Sequence, residues 1–153
     1  MTITNGTIES LIDVTGLNAP LSPRTIITIQ IWLTHTWNAD LIIRLYGPDG
    51  SYITLSNRRG GSFDNVFDGT LFTDSASNSV VTYLYSNNNV ASPLRPEDPL
   101  SNFRGKYPNG KWKLWIQDTI SASDGKLYGV ILNIQGIFFL FFFENPYLFQ
   151  FQY

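Results

Sequence analysis

The 153-residue chain has no cysteine, a single histidine and a single methionine. The lack of cysteine excludes disulfides, thiolate chemistry and a Cys-ligated zinc site. It leaves the compartment open, because an exported domain with an adequate core does without disulfides. Charge is scarce too: Asp, Glu, Lys and Arg make up 14% of the chain, against roughly a quarter in an average soluble domain. With a net charge of −2 and scattered basic residues, electrostatically driven nucleic-acid binding is excluded. No apolar run reaches the length of a membrane-spanning helix, so no transmembrane span is expected. Met1 to Thr4 offers neither a basic start nor an apolar stretch, and no secretory signal is expected there. A helical period is likewise missing throughout.

What the sequence has is alternation. Ile27, Ile29, Ile31 and Leu33 face one way and Thr28, Gln30, Trp32 and Thr34 the other, which is a half-buried strand. Leu41, Ile43 and Leu45 repeat the pattern, Gly47-Pro48-Asp49-Gly50 is a turn by its chemistry, and Tyr52 to Leu55 is the expected return strand. Trp112, Leu114 and Ile116 form another strand, Asp118 to Gly125 a polar turn, and Leu127 to Ile134 a further strand. Short strands separated by turn clusters predict a sandwich or a barrel. The long polar stretch from Asp74 to Lys111 carries Pro93, Pro96, Pro99 and Pro108, so it is expected as an ordered excursion folded back on the core.

The ordered blocks His35-Thr36-Trp37-x-x-Asp40-Leu41, Leu45-x-x-Pro48-x-Gly50, Arg59-Gly60-Gly61-Ser62-x-Asp64-Asn65 and Thr70-x-Phe72-x-Asp74-x-Ala76 are more specific. They continue in Pro99-Leu100-Ser101-x-Phe103-x-Gly105-Lys106, Asn109-Gly110-x-Trp112-x-Leu114-x-Ile116-x-Asp118 and Asp124-Gly125-x-Leu127. Together, from about Ile3 to Ile134, they resemble the P domain (Homo B domain) of proprotein convertases and bacterial subtilisin-like proteases. The resemblance implies an all-β jelly-roll sandwich over residues 1–135 that is not itself catalytic. It implies a domain that supports a neighbouring subtilisin-type catalytic domain and often binds calcium. No such catalytic domain and no Gly-Thr-Ser nucleophile motif occur in this sequence.

Calcium wants several oxygen ligands, and Asp40, Asp64, Asp74 and Asp118 lie in the matched blocks at strand ends. The plainer reading is that these carboxylates cap turns by accepting backbone N–H bonds. His35 would have to serve any Ser-His-Asp triad, and its block position is read as structural. Trp37 and Trp112 are expected in the core. Trp32 and Trp115, on the opposite phase from their aliphatic neighbours, raise a carbohydrate-binding reading. Asn5-Gly6-Thr7 is formally a glycosylation sequon at Asn5, relevant only to a chain secreted by a eukaryote, and its plainer reading is a turn.

The last eighteen residues depart from the resemblance. Seven of the 11 phenylalanines lie in residues 136–153, with Glu144 as the one charge. Leaving them in water forfeits on the order of 10 kcal/mol, at roughly 1.5–3 kcal/mol per ring. Strand chemistry suits this tail, which then closes the chain's own sheet or pairs with a neighbour's edge. Phe138, Phe139, Phe141, Phe142, Phe143, Phe149, Phe151 and Tyr153 are the expected assembly surface. The main expectation is therefore a structural subunit that self-associates into an extracellular or surface assembly such as a filament, tubule or coat, with a virion coat also compatible. The alternatives are an accessory domain stabilising a subtilisin-like serine protease and a calcium- or carbohydrate-binding adhesion module.

Overall fold

The computed structural model describes residues 1–142, and within them no α-helix forms. Nine strands follow in order: β1 (Thr2–Thr4), β2 (Gly6–Val14), β3 (Ile27–His35), β4 (Leu41–Tyr46), β5 (Tyr52–Asn57), β6 (Phe67–Thr73), β7 (Gly110–Asp118), β8 (Asp124–Ile134) and β9 (Ile137–Phe142). They make a two-sheet sandwich of jelly-roll type. One sheet runs β1-β8-β3-β6, with β9 also on β8, and the other runs β2-β7-β4-β5. All neighbouring strands are antiparallel.

The period-two pattern determines which side chains form the core. Ile29, Ile31 and Leu33 of β3 meet Ile43 and Leu45 of β4, Leu114 and Ile116 of β7 and Val130 and Leu132 of β8 in one fully buried cluster. Trp112 is 1% exposed, packs edge-on against Phe103 and donates its indole N–H to the Pro108 carbonyl at 2.7 Å. Trp37, expected beside it, is instead 48% exposed. It lies two residues beyond the end of β3 and leads into a short 3-10 turn at Asn38–Asp40, where strand alternation no longer decides orientation.

Strand β6 carries a bulge. Trp32 of β3 pairs with Asp68 while Ile31 pairs with Thr70, so Gly69 is the extra residue. Its φ of +115° is a conformation that glycine tolerates and L-side chains rarely adopt.

The excursion after β6 lies back on the sandwich and closes two sheet edges. On β6, the Thr73 N–H donates to the Leu94 carbonyl, Leu94 N–H to the Leu71 carbonyl, and Leu71 N–H to Ser92 Oγ. On β5, the Thr54 N–H donates to Asp98 Oδ2 at 2.8 Å and the Asn57 N–H to Glu97 Oε1 at 2.8 Å. Glu97 also holds Arg59, at 2.9 Å, which ties the excursion to the end of β5. Covered edges of this kind remove the unpaired backbone rows that invite other chains.

Strand β9 forms a hairpin with β8. Gln135 and Gly136 take φ of +52° and +85°, the double left-handed turn whose twist matches two antiparallel strands. The strand lies on the edge of β8 away from β3, and β1 lies on the same edge further along: Thr2–Thr4 pair with residues 124–126, and β9 pairs with residues 129–134.

Candidate functional site

Strand ends collect the polar residues singled out by the sequence. His35 closes β3 and is buried, with Nε2 3.5 Å from Asp118 Oδ2 at the end of β7. Its Nδ1 lies 2.8 Å from the Trp37 carbonyl oxygen and 3.1 Å from the Trp37 nitrogen, an arrangement that fixes the ring within its own turn. The His35 backbone is fixed as well: its N–H donates to Asn65 Oδ1, and its carbonyl accepts from the Asn38 amide and the Asn65 N–H. Asn38 Nδ2 also donates to the Phe63 carbonyl at 2.6 Å.

Two glycines make this knot possible. A Cβ on Gly125 would sit 2.3 Å from the Thr34 carbonyl oxygen and 2.5 Å from the His35 ring. At Gly60, with φ of +96°, it would sit 2.6 Å from Asn38 Cβ. Both positions are therefore closed to larger residues by backbone or buried neighbours.

The four candidate calcium ligands are not gathered into one cage. Asp118 accepts the Asn5 N–H through Oδ2 and the Ile120 N–H through Oδ1. Asp40 is buried in the adjoining turn, where its carbonyl accepts from both the N–H and the hydroxyl of Thr119. Asp64 precedes β6 at this same end, and its backbone is bonded to Asn87 and Asn88. Asp74 follows β6 at the opposite end. Its two oxygens accept the Leu100 and Ser101 N–H groups, each at 2.8 Å, at the start of the 3-10 turn Leu100–Phe103. Among the described residues no three His, Asp or Glu side chains are grouped to hold a metal ion. The carboxylates of Asp74 and Asp118 thus cap turns by accepting backbone N–H groups.

Nor does the knot have the parts of a hydrolytic site. No serine or threonine hydroxyl among the described residues bonds His35, whose Nε2 has no hydrogen-bond partner and is shut from solvent. A cleft of about 260 Å³ between the 16–22 loop and the β8–β9 turn is lined by groups such as Leu17, Asn18, Pro20 and Thr25, none of them titratable.

On the outer face of the β2-β7-β4-β5 sheet, the Arg44 guanidinium lies over both rings flanking it, 4.8 Å from Tyr52 and 5.1 Å from Trp115. Trp115 therefore shares its face with a cation instead of presenting a bare platform. Asp68, on the outer face of the other sheet, has its carboxyl pushed above the usual carboxylate range by burial, and its Oδ1 has no hydrogen-bond partner.

Strand β9 presents the other candidate surface. Phe139 packs against the core, whereas Phe138 and Leu140 are 59% and 56% exposed and Phe141 37%. The β9 side of the molecule is therefore built on the chain's own sheet, one of the two placements open at the level of sequence. The side chain of Phe142 and the residues Phe143, Phe149, Phe151 and Tyr153 lie outside the described residues. Asn5, with φ of +22°, sits in the tight turn between β1 and β2. No helix among the described residues is long and apolar enough to cross a membrane.

Residues 25–134 match the proprotein convertase P-domain family. Leupeptin-inactivating enzyme 1 of Streptomyces exfoliatus is 35% identical over 120 residues, covering 77% of this chain and 20% of that protein. The chain thus spans about a fifth of the length of that relative. Among solved structures, the serine protease of Aeromonas sobria in complex with the chaperone ORF2 aligns with a TM-score of 0.45 at 16% identity, covering 92% of this chain and 21% of that one. The same serine protease without the chaperone gives a TM-score of 0.43 at 14% identity, with the same coverage.

Proposed function

The chain belongs to the proprotein convertase P-domain family, and from that premise we propose that it is a non-catalytic module accompanying a subtilisin-like serine protease outside the cell or at its surface. The family match over residues 25–134 carries the reading. The surroundings of His35, the single histidine of the sequence, support it, since the ring is buried and held within its own turn. Its contribution is then mechanical: a rigid sandwich that holds a catalytic unit in its folded form. The test is the half-life of peptidase activity of a subtilisin-like catalytic domain lacking its own P domain, heated with and without this chain. A longer half-life together with a complex seen by light scattering is expected. Unchanged activity and no complex would overturn the proposal.

A second reading, self-association through the C-terminal extension, draws on one observation. Strand β9 lies wholly beyond the family match and exposes Phe138 and Leu140 side by side. The native mass of the intact chain, beside a chain ending at Gln135, tests it. Assemblies from the intact chain and monomers from the shortened one are expected, whereas monomers from both would refute it.

A further inference from the structure

The sandwich has four sheet edges, and they are not treated alike. The β5 and β6 edges are covered by the excursion between β6 and β7. The β2 edge carries Glu9 and Asp13, which are ion-paired to Lys113 and Lys111 across β7. The β9 edge lies beside β2 of the other sheet, and among the described residues it lacks these protections: Ile137 to Phe142 includes no charge, no proline and no bulge.

The hairpin geometry shows which backbone groups that edge offers. In a two-residue turn of this type the flanking residues, Ile134 and Ile137, form the hydrogen-bonded pair. Ile137, Phe139 and Phe141 therefore turn their N–H and C=O groups to β8, and Phe138, Leu140 and Phe142 turn theirs outward. Those of Phe138 and Leu140 meet no partner among the described residues.

We infer that the β9 edge is a strand-pairing surface for a second copy of this chain, joined about a two-fold axis that passes beside Leu140. An antiparallel strand is its own complement, so Phe138 of one copy faces Phe142 of the other and Leu140 faces Leu140. The two five-stranded sheets become one continuous sheet with β9 at its centre. Leu140 and its cross-strand neighbour Ile131 extend the apolar row across the junction, and no like charges meet when two such uncharged edges approach. The inference rests on the self-association reading above and specifies its surface.

Leu140 is exposed on the outer face, so replacing it with a charge leaves the sandwich core untouched. Leu140→Lys places two ammonium groups directly opposite each other, and Leu140→Glu two carboxylates. Either is expected to weaken association by about 100-fold or more. An equimolar mixture of the two variants pairs opposite charges and is expected to recover association, read by sedimentation and by light scattering. Melting curves like that of the unaltered chain confirm that the variants are folded. If Leu140→Lys leaves the native mass unchanged while ending the chain at Gln135 abolishes association, the edge inference falls and self-association stands through other residues. If the intact chain is a monomer at every concentration, both fall. Should a chain ending at Phe142 associate when the intact chain does not, residues 143–153 occupy the edge, and the inference is again overturned.

Discussion

Asp74 separates two roles that a carboxylate at a strand end can play. Both of its oxygens accept backbone N–H groups at 2.8 Å, from the buried Leu100 and from Ser101, and so fasten the second 3-10 turn to the end of β6. Hydrogen bonds to a charged acceptor are worth about 1.5–3 kcal/mol each, and loss of the acceptor leaves two donors in a half-covered site. Asp74→Ala is therefore expected to cost about 2–4 kcal/mol. At the usual sensitivity for a chain of this size, that lowers Tm by roughly 6–12 °C. Asp74→Asn keeps one acceptor but turns a donor toward the second N–H, so more than half of the loss should remain. Urea unfolding followed by tryptophan fluorescence, in calcium and again in a chelator, gives the measurement. The capping role requires the same loss in both conditions. A loss seen only in calcium would show that Asp74 is a metal ligand, and a loss below about 0.5 kcal/mol would refute the reasoning altogether.

Three further outcomes follow from the packing. Gly125→Ala drives a methyl group into the Thr34 carbonyl and the His35 ring. It should destabilise by about 3 kcal/mol or prevent folding, read by expression and thermal melting. Asp68 binds its proton more tightly folded than unfolded, so its contribution to stability is greatest below the unfolded pKa and is lost as pH rises through the folded one. Asp68→Asn should therefore stabilise the protein by up to about 1 kcal/mol at neutral pH and by less in acid, compared in urea titrations at the two pH values. Gly136→Val forces a β-branched residue into a φ of +85° and should loosen the β8–β9 hairpin by about 1–2 kcal/mol, seen as faster amide exchange confined to residues 129–142.

How much of this was visible in the sequence differs from element to element. Strands β3, β4 and β7 were legible because one face of each is buried, which imposes period two on the side chains. Strand β6 was not, since Gly69 adds a residue and shifts the phase between Asp68 and Thr70. The protection of the β5 and β6 edges was illegible for a different reason. It is made largely of main-chain groups, and their partners Glu97 and Asp98 look like ordinary surface acids until the excursion is folded back. The exposure of Trp37 was hidden because its place in the His35-Thr36-Trp37 block was read as a core position, whereas it lies in the turn beyond β3. For the carboxylates, calcium ligands and turn caps draw on the same residue types at the same places, and the bonds made by Asp74 and Asp118 are what define caps here.

The sharing of one β8 edge by β1 and β9 sets an order of events during folding. The β8–β9 hairpin closes over two residues and can form within microseconds of both strands being available. The β1–β8 pairing brings residues 2–4 to residues 124–126, across nearly the whole chain, and must wait for that loop to close. Between the two, the amine of Met1 donates to the Leu127 carbonyl at 2.9 Å, and Leu127 donates back to Met1. The first strand in the sequence is thus the late arrival on this edge. Until it docks, residues 124–127 of β8 are an uncovered edge lying directly in line with the hydrophobic hairpin.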